Sequence, residues 1–196
     1  MKYRTRELKI GIDIDNTIVN TAETIVKYIN DRLPVHLELS DIKQYYIENA
    51  LPEQFQWIVE AAFRDSVMWK QVQLVDGAYE YIKKLYDDRH ELFFVTSASP
   101  ENFRKKVSHL ERVFDFLPEK YVWKHAINIQ QKQMLKLDVM IDDYLDNLLG
   151  VREYISICLE YPWNSLNTDK IDKDFYRVAD WERAYSLIDL LKTYGR

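Results

Sequence analysis

The stretch that most constrains this chain is Lys9-Ile-Gly-Ile-Asp-Ile-Asp-Asn-Thr17, an apolar run that stops in two carboxylates, Asp13 and Asp15, with a hydroxyl at Thr17. Its β-branched content makes residues 8–14 a strand. Side chains alternate along a strand, so Asp13 and Asp15 project to the same side at its end and repel one another. A shared proton or a bound cation relieves such a pair, and hard oxygen ligands in a cramped acidic site favour magnesium. A solvated turn explains the same residues, because Asp, Asn and Thr all form turns and Asp15-Asn16 could cap a following helix. The rest of the chain has to decide between them.

Ile18, Ala22, Ile25, Val26, Ile29 and Leu33 have the spacing of an amphipathic helix over 18–32. Ser40 opens a second helix and Pro52 a third that runs to about Val67, leaving 34–74 helical and without a strand. A helix over 79–88 follows Asp76-Gly77-Ala78, and the strand 91–95 ends in Thr96-Ser97. Beyond it the sequence predicts a helix over 100–116, a short strand at Lys120–Trp123, and a strand over 137–141 that ends in Asp142-Asp143. Next come a helix over 144–152, a strand over 155–159, a turn at 161–164, a short strand near 176–178, and a closing helix from Trp181 to about Tyr194. Alternating strands and helices predict an α/β fold: a doubly wound, Rossmann-like parallel sheet with helices on both faces. With 196 residues the chain suits one such domain with a small lobe. The expected division is a core of 1–17 and 76–196, with a small helical cap, 18–75, inserted after the first strand.

Charge and composition remove several classes of function. A net charge of −5 argues against a broad phosphate-gripping face for polymeric nucleic acid, although a local cation or metal can still hold a small anion. No window reaches the ~18 apolar residues of a membrane span, so no membrane partner is expected. The single cysteine, Cys158, lies in an apolar run and suits a buried thiol. These features make a cytoplasmic location the expectation and leave a homodimer open. His36, His90, His109 and His125 have no ligand spacing and are expected at the surface or as caps. The rings of the 45–69 region, Tyr45, Tyr46, Phe55, Trp57, Phe63 and Trp69, are expected mainly in the core.

Ligands of open parallel sheets sit at the carboxyl ends of the strands. Three predicted strands end in polar groups: Asp13/Asp15, Thr96/Ser97 and Asp142/Asp143. If these strands are neighbours, four carboxylates converge on one crevice, an arrangement that is costly without a divalent ion. Lys132 could supply positive charge on the opposite side. Together the parts describe phosphoryl chemistry, in which a carboxylate attacks phosphorus, a second moves a proton, and a metal and a lysine neutralise phosphate oxygens.

Asp13-Ile-Asp-Asn-Thr17 after a strand resembles the first motif, DxDxT, of the haloacid dehalogenase superfamily. Val95-Thr96-Ser97 resembles its second motif, Lys132 its third and Val139-Met-Ile-Asp142-Asp143 its fourth, all in order across 10–143. Closer still, the chain is similar to the 5'(3')-deoxyribonucleotidases, the type C 5'-nucleotidases. That similarity rests on an insert of comparable size, Asp76-Gly-Ala, Phe94-Val-Thr-Ser97, Ile141-Asp-Asp-Tyr-Leu-Asp146, and the tail Pro162-Trp-Asn164, Arg177-Val and Asp180-Trp181.

The resemblance implies a Mg²⁺-dependent hydrolase of nucleoside monophosphates, with Asp13 as nucleophile and Asp15 as general acid/base. It implies metal ligation by Asp13, Asp15 through its carbonyl, Asp142 and Asp143, and phosphate or substrate binding by Asn16, Thr17, Thr96, Ser97 and Lys132. Asn16 better suits shaping the turn, and Ser97 equally suits an ordinary strand end. The chain departs from mammalian-type members after Thr96-Ser97, where a shorter segment leaves Arg104, Lys105 and Lys106 as alternatives for a further phosphate-binding lysine. Another phosphomonoester such as a sugar phosphate, or a non-catalytic binding protein on the same fold, are the competing expectations.

Overall fold

A computed structural model describes residues 6–165 and 175–194, with no side-chain description at 192–194. In chain order the regular elements are β1 (Lys9–Asp13), α1 (Thr21–Asn30), α2 (Trp57–Arg64), α3 (Ser66–Gln71), α4 (Ala78–Asp87), β2 (Glu91–Thr96), α5 (Pro100–Val113) and α6 (Tyr121–His125). They continue with β3 (Ala126–Asn128), β4 (Val139–Asp142), β5 (Ile155–Leu159), β6 (Tyr176–Val178) and α7 (Trp181–Tyr194). The strands make one parallel sheet in the order β3-β2-β1-β4-β5-β6. Strand order reverses at β1, which lies between β2 and β4, so the switch point falls where the sequence placed the acidic pair.

Alternation assigns the two faces of the sheet. Ile10, Ile12, Leu92, Phe94, Val139, Ile141 and Ile157 join the larger cluster, with Trp181 and Ile188 of α7 and Ile82 and Leu85 of α4. Their neighbours Val95, Met140 and Cys158 face the opposite side with Leu145, Leu148 and Tyr154. The strands are apolar on both faces, as a sheet covered on both sides requires. The register sets Asp13 opposite Val95 and Ile12 opposite Ile141, bringing Asp13 beside Asp142 at one rim.

Between β1 and α4 the chain leaves and returns at one place. Asn20 N–H donates to the Gln73 carbonyl at 2.8 Å, and Val75 N–H to the Ile18 carbonyl at 2.9 Å. The intervening residues bury their own apolar cluster, with Ile25 and Ile29 of α1, Leu37, Ile42, Ile47 and Ile58. Trp163, from the turn after β5, also belongs to it.

Four elements differ from the sequence expectation. No helix follows Ser40: a 3₁₀ turn, Leu39–Asp41, is closed by reciprocal bonds between Glu38 and Asp41, and a second turn spans Ile47–Ala50. Ile42 and Ile47 both face the inner cluster, yet five residues along a helix would rotate them roughly 140° apart. The third helix is a 3₁₀ turn plus α2 and α3, divided where Asp65 caps the Val67 N–H. Tyr121–His125 is a helical turn rather than a strand. The Glu111 carboxylate takes the Lys120 and Val122 N–H groups at its start, and Tyr121 stacks on His125 at 4.0 Å. Residues 144–152 contribute only the 3₁₀ turn Leu145–Asn147. Tyr154 Oη and Ser156 Oγ donate to the carbonyls of Asn147 and Leu148, and Gly150 turns the chain at φ 69°. His90 and His109 are buried, against the expectation of surface or capping positions. His90 Nδ1 accepts the Leu8 N–H, joining the start of β1 to the loop before β2.

Candidate active site

The rims of β1, β2 and β4 form an acidic crevice. Asp13, Asp142 and Asp143 are buried, and each offers an oxygen such that these atoms lie within 4.8 Å of one another. Lys132, also buried, donates to Asp13 Oδ1 and, at 2.7 Å, to Asp142 Oδ2. It sits in a 3₁₀ turn, Lys132–Met134, between β3 and β4. The remaining acceptor positions of Asp142 take the Tyr144 N–H at 2.9 Å and the Asn147 amide at 3.0 Å. Asp143 Oδ2 accepts from Trp163 Nε1 at 3.1 Å and Asn16 Nδ2 at 3.3 Å. Asp143 Oδ1 is buried with no hydrogen-bond partner.

Three buried carboxylates around one ammonium are under-compensated, and the titration of the groups reflects it. Burial, reinforced by the Asp142 and Asp15 charges, pushes Asp13 up to about 7 although Lys132 pulls it down. Burial and the charges of Asp13 and Asp142 hold Asp143 well above the usual carboxylate range. Burial disfavours the Lys132 charge, yet Asp13 and Asp142 together raise it above the ordinary lysine value. A divalent cation suits this donor set of carboxylate oxygens, one of them unpartnered.

Asp15 lies apart from that trio. Its Oδ1 accepts from Thr21 Oγ1 at 2.8 Å, and its Oδ2 from the buried Lys106 ammonium. Lys106 also donates to Thr96 Oγ1 at 2.9 Å, linking the ends of β1 and β2. Ser97 is exposed at the mouth. Asn16, at φ 54°, accepts the Ala22 N–H at 2.8 Å while its amide reaches Asp143, so it braces the turn against the acidic pair. Thr17 is fully buried, lines neither cavity at the site, and offers its carbonyl to Trp181 Nε1 at 2.9 Å. The structure thus gathers Asp13, Asp15, Thr96, Ser97, Lys132, Asp142 and Asp143 at one rim and sets Thr17 behind it.

The sequence left Lys106 among three alternatives. Lys105 turns outward to the Arg64 carbonyl and Glu101, and Arg104 is exposed. The distinguishing signal is helical periodicity, since Phe103, Lys106, Val107 and Leu110 occupy one stripe of α5 that Arg104 and Lys105 miss. The role of the tail was also obscure in the sequence. Asn164 Nδ2 donates to the Asp143 carbonyl at 2.9 Å and its Oδ1 accepts from Arg177 at 2.7 Å, so 163–164 and Arg177 buttress the acidic pair.

A second cavity, of about 590 Å³, opens beside the crevice and shares Asp15, Tyr45, Tyr46 and Ser97 with it. Trp57 and Phe63 of α2 stand in its wall, with Asn102 and Lys106 of α5 facing them. Tyr45 stacks on Tyr144 at 3.8 Å, joining the insert to the residue that follows Asp142-Asp143.

A parallel sheet whose switch point carries this carboxylate and lysine set is the framework of haloacid dehalogenase-like hydrolases. Solved structures with that framework superpose on nearly the whole chain. A haloacid dehalogenase family hydrolase from Deinococcus radiodurans, described with bound phosphate and sodium, aligns at TM-score 0.64 and 11% identity, covering 98% of this chain and 100% of the other. A haloacid dehalogenase-like family protein from Streptococcus pneumoniae aligns at TM-score 0.61 and 12% identity, covering 93% and 98%.

A family model described as "5' nucleotidase, deoxy (Pyrimidine), cytosolic type C protein" matches residues 6–194. A 5'(3')-deoxyribonucleotidase of Bacillus subtilis is 26% identical over 178 residues, 88% of this chain and 94% of that protein. One from Clostridium acetobutylicum is 21% identical over 188 residues, 94% and 97% respectively. The chain belongs to this type C nucleotidase family and is a phosphoric monoester hydrolase.

Proposed function

We propose that this enzyme is a Mg²⁺-dependent phosphatase of nucleoside monophosphates, deoxyribonucleotides foremost, acting through an aspartyl-phosphate. The observation that carries the reading is the shared edge of Asp15, Tyr45, Tyr46 and Ser97, which joins the acidic crevice to a cavity with aromatic walls. A phosphate in the crevice would leave its nucleoside in that cavity, where rings can stack on a base.

Asp13 attacks phosphorus and the bond to the nucleoside oxygen breaks, while Asp15 gives that oxygen its proton. Asp15 then takes a proton from the water that attacks the aspartyl-phosphate, releasing inorganic phosphate and restoring Asp13. Lys132, Lys106, Thr96 and Ser97 hold the phosphate oxygens. Asp13, Asp142, Asp143 and the Asp15 carbonyl would hold the cation, which neutralises phosphate charge when bound. Thr21 and Lys106 keep the Asp15 carboxylate aimed at the shared edge.

In this reading residues 18–75 act as a cap over the nucleoside, excluding water and gating entry. The partner is a small nucleotide, met in the cytoplasm. The test is phosphate release from deoxy- and ribonucleoside 5'- and 3'-monophosphates and from sugar phosphates, with Mg²⁺ and with chelator. Release from nucleotides that depends on Mg²⁺ is expected. Faster release from sugar phosphates, or release unaffected by chelator, overturns the reading.

A further inference from the structure

Asn164, in the turn after β5, is buried with every hydrogen-bonding position of its side chain used. Its amide donates to the Asp143 carbonyl at 2.9 Å and to the Leu159 carbonyl at 2.8 Å. Its Oδ1 accepts the Tyr161 N–H at 3.0 Å and Arg177 Nη1 at 2.7 Å. Two donors and two acceptor positions are all that such an amide has. The two carbonyls lie at the ends of the paired strands β4 and β5, so Asn164 ties the backbone of Asp143 to the neighbouring strand.

Arg177 lies on β6, the edge strand, two places from β4. Among the described residues its guanidinium makes no ion pair, and its Nη2 is buried without a hydrogen-bond partner. A cation drawn from water without a carboxylate is costly, so fold stability does not account for it. It does decide how Asn164 points. A carboxamide can turn either its oxygen or its NH₂ towards a neighbour, and a guanidinium, which only donates, takes the oxygen. The NH₂ is then left facing the two carbonyls. The consequence falls on Asp143, whose Oδ2 is held by Trp163 and Asn16 and whose carbonyl is held by Asn164, whereas its Oδ1 is buried and unpartnered. We propose that Asn164, oriented by Arg177, is the positioning residue that holds Asp143 for the cation, so that cation affinity is set from the edge of the sheet. This rests on the cation of the reading above and deepens it.

Charge and position make opposite predictions here. Arg177 is a positive charge behind the site, so Coulomb repulsion alone would have its removal tighten a divalent cation. Acting through Asn164, its removal loosens the cation. Mg²⁺ affinity is measured by titration calorimetry without substrate on the natural protein, Asn164→Leu, Arg177→Met and Arg177→Lys, each shown by its thermal melt to be folded. Asn164→Leu and Arg177→Met are expected to weaken Mg²⁺ binding by about tenfold or more, the scale of losing a group that supports a metal ligand. Arg177→Lys keeps a donor for Oδ1 and is expected to stay close to the natural affinity. In nucleotide assays excess Mg²⁺ should restore most of the kcat lost in Arg177→Met, because the reacting groups are unchanged. Tighter or unaltered Mg²⁺ binding in Arg177→Met, even with a lowered melting temperature, overturns the proposal. Arg177→Lys as weak as Arg177→Met also overturns it. If Asn164→Leu does not fold, the two Arg177 variants decide alone. A natural protein that binds no Mg²⁺ overturns the cation reading as well, whereas equal affinities across the folded variants overturn only the positioning role.

Discussion

The two cavities are built by different means. The acidic crevice hangs from the ends of β1, β2 and β4, whose register places Asp13 beside Asp142. Nearly every polar atom in it is fixed by a partner. The aromatic cavity is walled by 3₁₀ turns and the eight-residue α2, with Trp57 and Tyr46 largely exposed. A rigid sheet rim holds reacting groups to the tolerance that chemistry demands, whereas short turns offer a surface that changes with little cost to the core. Reaction and selectivity are therefore expected to respond separately to substitution.

The largest effect that sharpens this contrast is Asp13→Asn. Turnover is expected to drop by about 10⁴-fold or more, the scale of losing a catalytic nucleophile. Because one charge leaves a crowded acidic cluster, the thermal melt without cation should be no lower than that of the natural protein. Substantial residual turnover would break the assignment of chemistry to the crevice.

Next in size is Lys106→Met, for which kcat/KM is expected to fall about 100-fold through loss of a donor to the phosphate and of the hold on Asp15. Arg104→Gln, two residues earlier and exposed, should stay within about twofold. Equal effects in steady-state assays would mean that the stripe position of Lys106 has no bearing on catalysis.

The cation should stabilise as well as activate. Asp13 rises to about 7 in the fold and Asp143 is also raised, so the cation-free folded state binds protons more tightly than the unfolded chain. Its stability is then expected to decline as pH rises from the ordinary carboxylate value towards about 7. Saturating Mg²⁺, which needs the ionised groups, should raise the melting temperature by about 5–10 °C near neutral pH and by less at pH ~5. Calorimetry showing equal gains at both pH values would contradict the burial account.

The smallest expected effect lies on the other side of the comparison. Trp57→Ala at the exposed wall should raise KM several-fold for nucleotides with kcat little changed, the size of one stacking contact. A large fall in kcat would show that the aromatic wall takes part in the reaction.

Legibility in the sequence followed the same division. The parallel sheet and its acidic and hydroxyl strand ends could be read because strands buried on both faces are continuously apolar and the polar residues interrupt them abruptly. The segment after Ser40 could not, since its turns are set by the Glu38–Asp41 box and by Tyr45 stacking on Tyr144, contacts with little periodicity. Tyr121–Trp123 misled because aromatic and β-branched content outweighed a helix start supplied by distant Glu111. Thr17 carries the motif's hydroxyl yet packs behind the rim, so matching a motif did not predict which way a side chain faces.

Trp163 belongs to the apolar cluster of the insert while its indole N–H bonds Asp143. If the insert swung away, this ring would face water or lose its carboxylate. Exposing a side chain of that size costs about 2 kcal/mol, enough to hold an opened form to a few per cent of molecules at equilibrium. Entry of a ligand would then draw on a scarce population, and a change in indole fluorescence that Trp163→Phe removes would report how often the insert lifts.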